Sequence, residues 1–161
     1  MIFVPGFDAI YKQTVTLFNR VPISKEHVMW YATVIEGVHL IIDHSSSWDS
    51  QGGNKADNAR LHVRYLLSGG DILVAEKKFY EPKAWRRLAK PEEGITFGYG
   101  NNEDFDFFVE GEYTEFASPI ADDLFDRRGF YNYMNKNYDN VFAIKSVSKY
   151  NLIPHFEISA G

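Results

Sequence analysis

The chain reads as mainly β: an antiparallel β-barrel or sandwich with two short helices and a long polar loop. Three observations predict this. Short runs rich in β-branched and aromatic residues recur along the sequence, separated by polar turn residues. Strands never alternate with long helical segments in the manner of a βαβ unit. With 161 residues, 45% hydrophobic and 16% aromatic, the chain can fill one core without a metal or disulfide staple. There is no internal repeat and no apolar-poor linker that would split it, so residues 1–161 are read as a single domain.

The elements follow in order. Thr14-Val-Thr-Leu-Phe-Asn19 reads as a strand, and the polar stretch Arg20 to Glu26, with Pro22, as a connection. Val28 to Ile35 is a second strand, making a hairpin with the first. Glu36-Gly37 interrupts the run before Val38 to Ile42, and the glycine marks a bulge or bend. From His44 to Asn58 the chain is polar, with Trp48 as its one large apolar residue: a long loop, of the kind commonly functional. Arg60 to Leu66 alternates polar and apolar and returns to strand, and Ser68-Gly-Gly-Asp71 is turn chemistry. In Lys83 to Lys90, the spacing of Trp85, Leu88 and Ala89 predicts a short amphipathic helix ending at Pro91. Ile95 to Phe97 and Phe105 to Val109 read as strands around Gly98 to Asn102. Ser118-Pro119 has the residue types of a helix start, with Asp122 and Asp123 near its N-terminus. Val141 to Val147 and His155 to Ser159 form a closing hairpin.

Composition excludes several classes. Without cysteine there is no disulfide framework, thiolate zinc site, iron–sulfur cluster or cysteine nucleophile. No apolar run approaches the roughly 18 residues of a membrane span, and the first residues lack the basic region of a signal peptide. A soluble, intracellular protein is the expectation. The net charge of −5 argues against general nucleic-acid binding.

That total hides a partition. Glu92 to Asp126 holds 11 acids and no Lys or Arg, leaving a net of +6 elsewhere. Lys77, Lys78, Lys83, Arg86, Arg87 and Lys90, just before it, are the densest basic cluster. One reading is solvated loops with neighbouring counter-charges. The other is head-to-tail association, the basic face of one copy meeting the acidic face of the next.

The search for catalytic chemistry yields little. His39, Asp43, His44 and His62 are ligand types, but on a strand His44 points away from His39 and Asp43. Asp43-His44-Ser45 has triad residue types without a nucleophile elbow. The carboxylates from Glu103 to Glu115 admit a two-carboxylate hydrolase on residue types alone, yet alternating acids usually mark a solvated strand face. Neither Gly98-Tyr-Gly100 nor Gly52-Gly-Asn-Lys55 is a phosphate loop. The aromatics from Phe97 to Phe116 lack the interleaved bases of a single-strand-binding barrel and read as core and interface. We assign no catalytic residue, metal or cofactor from the sequence and expect no enzyme.

Thr14-Val-Thr-Leu-Phe-Asn-Arg20 followed by Trp30-Tyr-Ala-Thr-Val-Ile-Glu-Gly-Val38 resembles the opening of small structural proteins from tailed-phage and prophage morphogenesis clusters of Gram-positive hosts. The similarity continues through Lys55-Ala-Asp to Val63, Pro82 to Trp85, Asp106 to Glu112, and the terminal Val141 to Ile158 hairpin. It spans most of the chain, and the order of these motifs carries it. Gly98 to Asn102 and Phe130 to Asn140 depart from the pattern, so nothing is carried over to them.

The resemblance implies a siphophage-type head–tail connector of the head-closure, or stopper, type: a virion protein at the head–tail junction, present in the host cytoplasm during assembly. It implies a ring of this chain, hexameric or dodecameric, around packaged DNA held without sequence specificity. The neighbours would be a portal or adaptor ring and a tail-completion protein, with no membrane. On this reading Trp48, Gly52, Gly53 and Lys55 belong to a channel-closing loop. Glu103, Asp104, Asp106, Glu110 and Glu112 are candidate lumen acids, because a passage for DNA avoids phosphate-trapping bases. Lys83, Arg86 and Arg87 are candidate subunit contacts. A tail-terminator, tail-tube or tail-completion protein is the nearest alternative, and a metal-dependent β-barrel enzyme using the histidines a more distant one.

Overall fold

The computed structural model describes residues 7–43, 58–100, 104–125 and 128–161. A one-turn helix, α1 (Phe7–Ile10), precedes β1 (Gln13–Pro22) and the long β2 (Val28–Asp43). Next come β3 (Asn58–Arg64), β4 (Leu66–Ser68), β5 (Asp71–Val74) and β6 (Lys77–Phe79). After α2 (Pro82–Trp85) lie β7 (Gly94–Ile95), β8 (Phe107–Glu110) and β9 (Ile120–Ala121). The chain closes with α3 (Gly129–Asn137), β10 (Val141–Tyr150) and β11 (His155–Ala160).

Six strands close into an antiparallel barrel in the order β1-β8-β10-β11-β3-β2, with β2 pairing back onto β1. Closure removes the exposed edges that an open sheet would present. Alternation along each strand fills the interior: Val15 and Leu17 of β1, Leu61 and Val63 of β3, Phe108 of β8, Phe142 and Ile144 of β10, and Phe156 and Ile158 of β11 are all buried in one cluster. The bend expected at Gly37 is a bulge. Gln13 faces Val38 while Thr14 faces Glu36, so Gly37 is the extra residue, and its φ of 67° lies in the left-handed region. The bulge resets the alternation, so that Ile35 and Val38, three positions apart, both point inward. It also marks a handover, since β2 pairs with β1 up to Val38 and with β3 from Val38 onward.

A second sheet, β4-β5-β6-β7, packs on the barrel core through Val74 and Ile95. Phe79 and Phe97 meet Phe156 at ring-centroid distances of 4.7 and 5.1 Å. Its β6–β7 pair is parallel, an exception to the antiparallel expectation. On the outside of the barrel, Phe18, Trp30, Phe107 and Val109 point away from the interior, and Phe130 and Met134 of α3 cover them.

The two helices of the sequence reading need correction in extent and place. The first is a single turn, α2, with Trp85 buried and its indole N–H donated to the Pro91 carbonyl. The second does not start at Ser118. Ser118 Oγ accepts a hydrogen bond from the Ala32 backbone N–H of β2, and the chain continues into β9 and a 3₁₀ turn at Asp122–Leu124. The helix forms later, as α3, and Asp122 reaches it there. Its carboxylate accepts from the Phe130 N–H in the first turn of α3 at 2.9 Å and from the Trp30 indole at 2.8 Å. Asp122 therefore lies beside a helix N-terminus, as its residue type suggests, though not the one its neighbours in sequence predict.

Candidate functional site

Part of the charge partition seen in the sequence is paired within the single chain. Arg86 makes a forked contact with Asp104, Nη2 to Oδ1 at 2.6 Å and Nη1 to Oδ2 at 3.3 Å, and Arg20 adds a third bond to Oδ1 at 3.1 Å. The hydrogen bond from Arg86 holds the Asp104 carboxyl below its ordinary range against partial burial, and Arg20 reinforces it. Lys78 pairs with Asp71 and Lys90 with Glu93. Of the candidate interface bases, Lys83 and Arg87 are exposed, whereas Arg86 is committed to Asp104.

The candidate lumen acids divide in the same way. Glu110 and Glu112 are exposed, and Glu103 lies outside the described residues. Asp106 is corrected: it is 1% exposed and presents no charge to any surface of the monomer. Its Oδ2 accepts from Asn19 Nδ2 at 2.8 Å and from the Gly98 N–H at 2.6 Å, and its Oδ1 accepts from the Arg20 N–H at 2.8 Å. Burial pushes this carboxyl up to about 6, while the three N–H donors pull the other way. A Cβ on residue 98 would stand 2.6 Å from Asp106 Oδ2, so the close approach requires Gly98. The sequence reading of a solvated acidic strand missed this because Asp106 precedes β8 and turns toward the segment before it.

Trp48, Gly52, Gly53 and Lys55 lie outside the described residues. The positions that flank their segment are described. Asp43 and Asn58, the described residues on either side of 44–57, face each other at the end of the β2–β3 ladder. Ile41, Asp43, Asn58, Arg60, Lys145 and Ser159 line a cleft there.

The histidines assemble differently from the set the sequence suggests. Leu40, Leu61, Val63, Phe156 and Ile158 point inward, so His39, His62, His155 and Glu157 share the outer face of three hydrogen-bonded strands. His39 is directly opposite His62, and His62 directly opposite Glu157. The rings form a row: His39–His62 at 5.5 Å, His62–His155 at 5.8 Å and His155–Tyr150 at 4.9 Å between centroids. His62, His155 and Glu157 each offer a ligand atom, all within 4.8 Å of one another. Asp43 is four residues along β2 from His39, about 13 Å of extended strand, and is not in this group. His44 lies outside the described residues. Burial lowers the His62 pKa; Glu157 opposes that shift, and His39, His155 and Arg60 add to it. The sequence signal for this group was the His-x-Glu spacing of the last strand, which puts both side chains on one face.

Fold and surface together define a small closed β-barrel with an external helix, an inserted segment between β2 and β3, and a half-buried His–Glu group on its outer wall. The chain belongs to DUF6751, a family of unknown function, whose model matches residues 10–161. No curated protein and no solved structure matches it.

Proposed function

We propose that this protein is a structural component of the phage head–tail interface, a ring around the DNA channel that helps retain packaged DNA or join head to tail. The observation that carries the reading is the ordered series of motifs along a chain that folds as one small closed barrel. The β2–β3 connection supports it. Asp43 and Asn58, which bracket residues 44–57, face each other, the anchorage that a channel-closing loop needs on a rigid barrel. The exposed acids Glu110 and Glu112 suit a wall along which DNA passes without being trapped. Lys83 and Arg87 are exposed for contact with a neighbouring subunit.

An apolar patch supports self-association. Leu152 is 97% exposed, and Leu66, Leu67 and Ile153 are also exposed. Tyr65 joins their two segments, its N–H donating to the Pro154 carbonyl and its hydroxyl to the Tyr150 carbonyl. A second copy of this chain is the occupant the reading assigns to it.

Light scattering on the purified chain and antibody labelling of virions test the proposal. A closed ring, disrupted by Leu152→Asp, and label at the head–tail junction are expected. Label along the whole tail would favour a tail-tube role, and virions without label would overturn the assignment.

A further inference from the structure

We propose that His62, His155 and Glu157 form a binding site for a first-row divalent transition ion of the zinc class on the outer wall of the barrel. The proposal is independent of the head–tail reading. Two imidazoles and one carboxylate are a ligand set that zinc and its neighbours accept, with water completing the shell. Tetrahedral bonds of about 2.0–2.1 Å place ligand atoms about 3.3 Å apart. The three donors already lie within 4.8 Å of one another, so side-chain rotation suffices and the strands need not move.

Three features make this a built site. The first is register: His62 and Glu157 are direct cross-strand partners, and His155 is two residues from Glu157 on the same face. The second is the set of contacts on the His155 ring. Its Nδ1 lies 2.7 Å from the Ile153 carbonyl, which can only accept, so the contact favours the tautomer of the neutral ring with the proton on Nδ1 and the lone pair on Nε2. Tyr150 stacks on that ring with an interplanar angle of 11°. The third is His39, stacked on His62 at 29°, which restrains the His62 ring from the neighbouring strand. His39 is thus a positioning residue. All three ligands are half-buried, so hydration only partly competes with the ion. A metal held here ties β3 to β11 across one seam of the barrel.

Zn²⁺ titration into the full, chelator-treated chain, followed by calorimetry, tests the site. One equivalent is expected to bind. Glu157→Gln and His155→Ala should each weaken affinity tenfold or more, and His27→Ala, on the β1–β2 connection, should leave it unchanged. A saturating excess should raise the melting temperature of the wild type and move Glu157→Gln little. Circular dichroism of the variants separates loss of ligand from loss of fold. No stoichiometric binding to the wild type, or equal affinity in all variants, overturns the proposal.

Discussion

Asn19 and Asp106, both buried, meet through a 2.8 Å hydrogen bond from Asn19 Nδ2 to Asp106 Oδ2. The same amide donates to the Thr96 carbonyl at 2.7 Å. One side chain of β1 thus ties the residue before β8 to the segment after β7. Removing either partner leaves the other one hydrogen bond short in the interior, where an unmet polar group costs most.

Asp106→Ala strands the Gly98 and Arg20 N–H groups and takes from the Asn19 amide one of its two acceptors. We expect a loss of about 3 kcal/mol or more in urea unfolding, with the midpoint shifting at nearly constant slope. Glu112→Ala, at an exposed position, should change stability by less than about 0.5 kcal/mol.

The raised Asp106 pKa has a signed consequence for stability. Between the unfolded value of about 4 and the folded value of about 6, the folded state holds the proton more tightly. Stability from this group is therefore complete below about pH 4 and falls as pH rises through about 6, by roughly 3 kcal/mol. Unfolding free energies from pH 4 to 7 should show this decline, and Asp106→Asn should flatten that part of the profile.

Thr96 presents the opposite case. Among the described residues its Oγ1 is a buried side-chain oxygen with no hydrogen-bond partner. Thr96→Val keeps the shape and removes the unmet hydroxyl. Thermal unfolding should show a gain of about 1 kcal/mol.

Asp122 links the Trp30 indole to the first turn of α3. Asp122→Ala should cost about 2 kcal/mol by losing both bonds. Because α3 covers Phe18 and Phe107, the variant should also show altered near-UV circular dichroism.

Since Asp43 and Asn58 are direct partners, a two-residue Asn-Gly turn can replace residues 44–57. Stability should change by no more than about 1–2 kcal/mol, because closure entropy varies slowly with length. If the segment closes the channel, phage carrying the shortened chain should form heads that lose DNA. Normal DNA retention would remove that role.

Periodicity made the barrel legible. The β1–β2 hairpin, the Gly37 interruption and the final hairpin are written in local patterns, because alternation and a positive-φ glycine act over a few residues. The zero cysteine count likewise excluded whole classes of site. The helix near Ser118 was misread for the converse reason: Ser118 and Asp122 have capping residue types, but their partners, Ala32, Trp30 and Phe130, come from elsewhere in the chain. The charge partition was visible in sequence, while its pairing was not. Asp104 meets Arg20 and Arg86 across many residues, and Asp106 is drawn inside by donors on other segments. The His62–His155–Glu157 group has the same origin. Sequence alone determined that these side chains sit on alternating strands; the register of β3 against β11, set by barrel closure, decided that they share one wall. Strand faces follow from a two-residue period, whereas neighbours across strands follow from which strands pair and how the barrel shears.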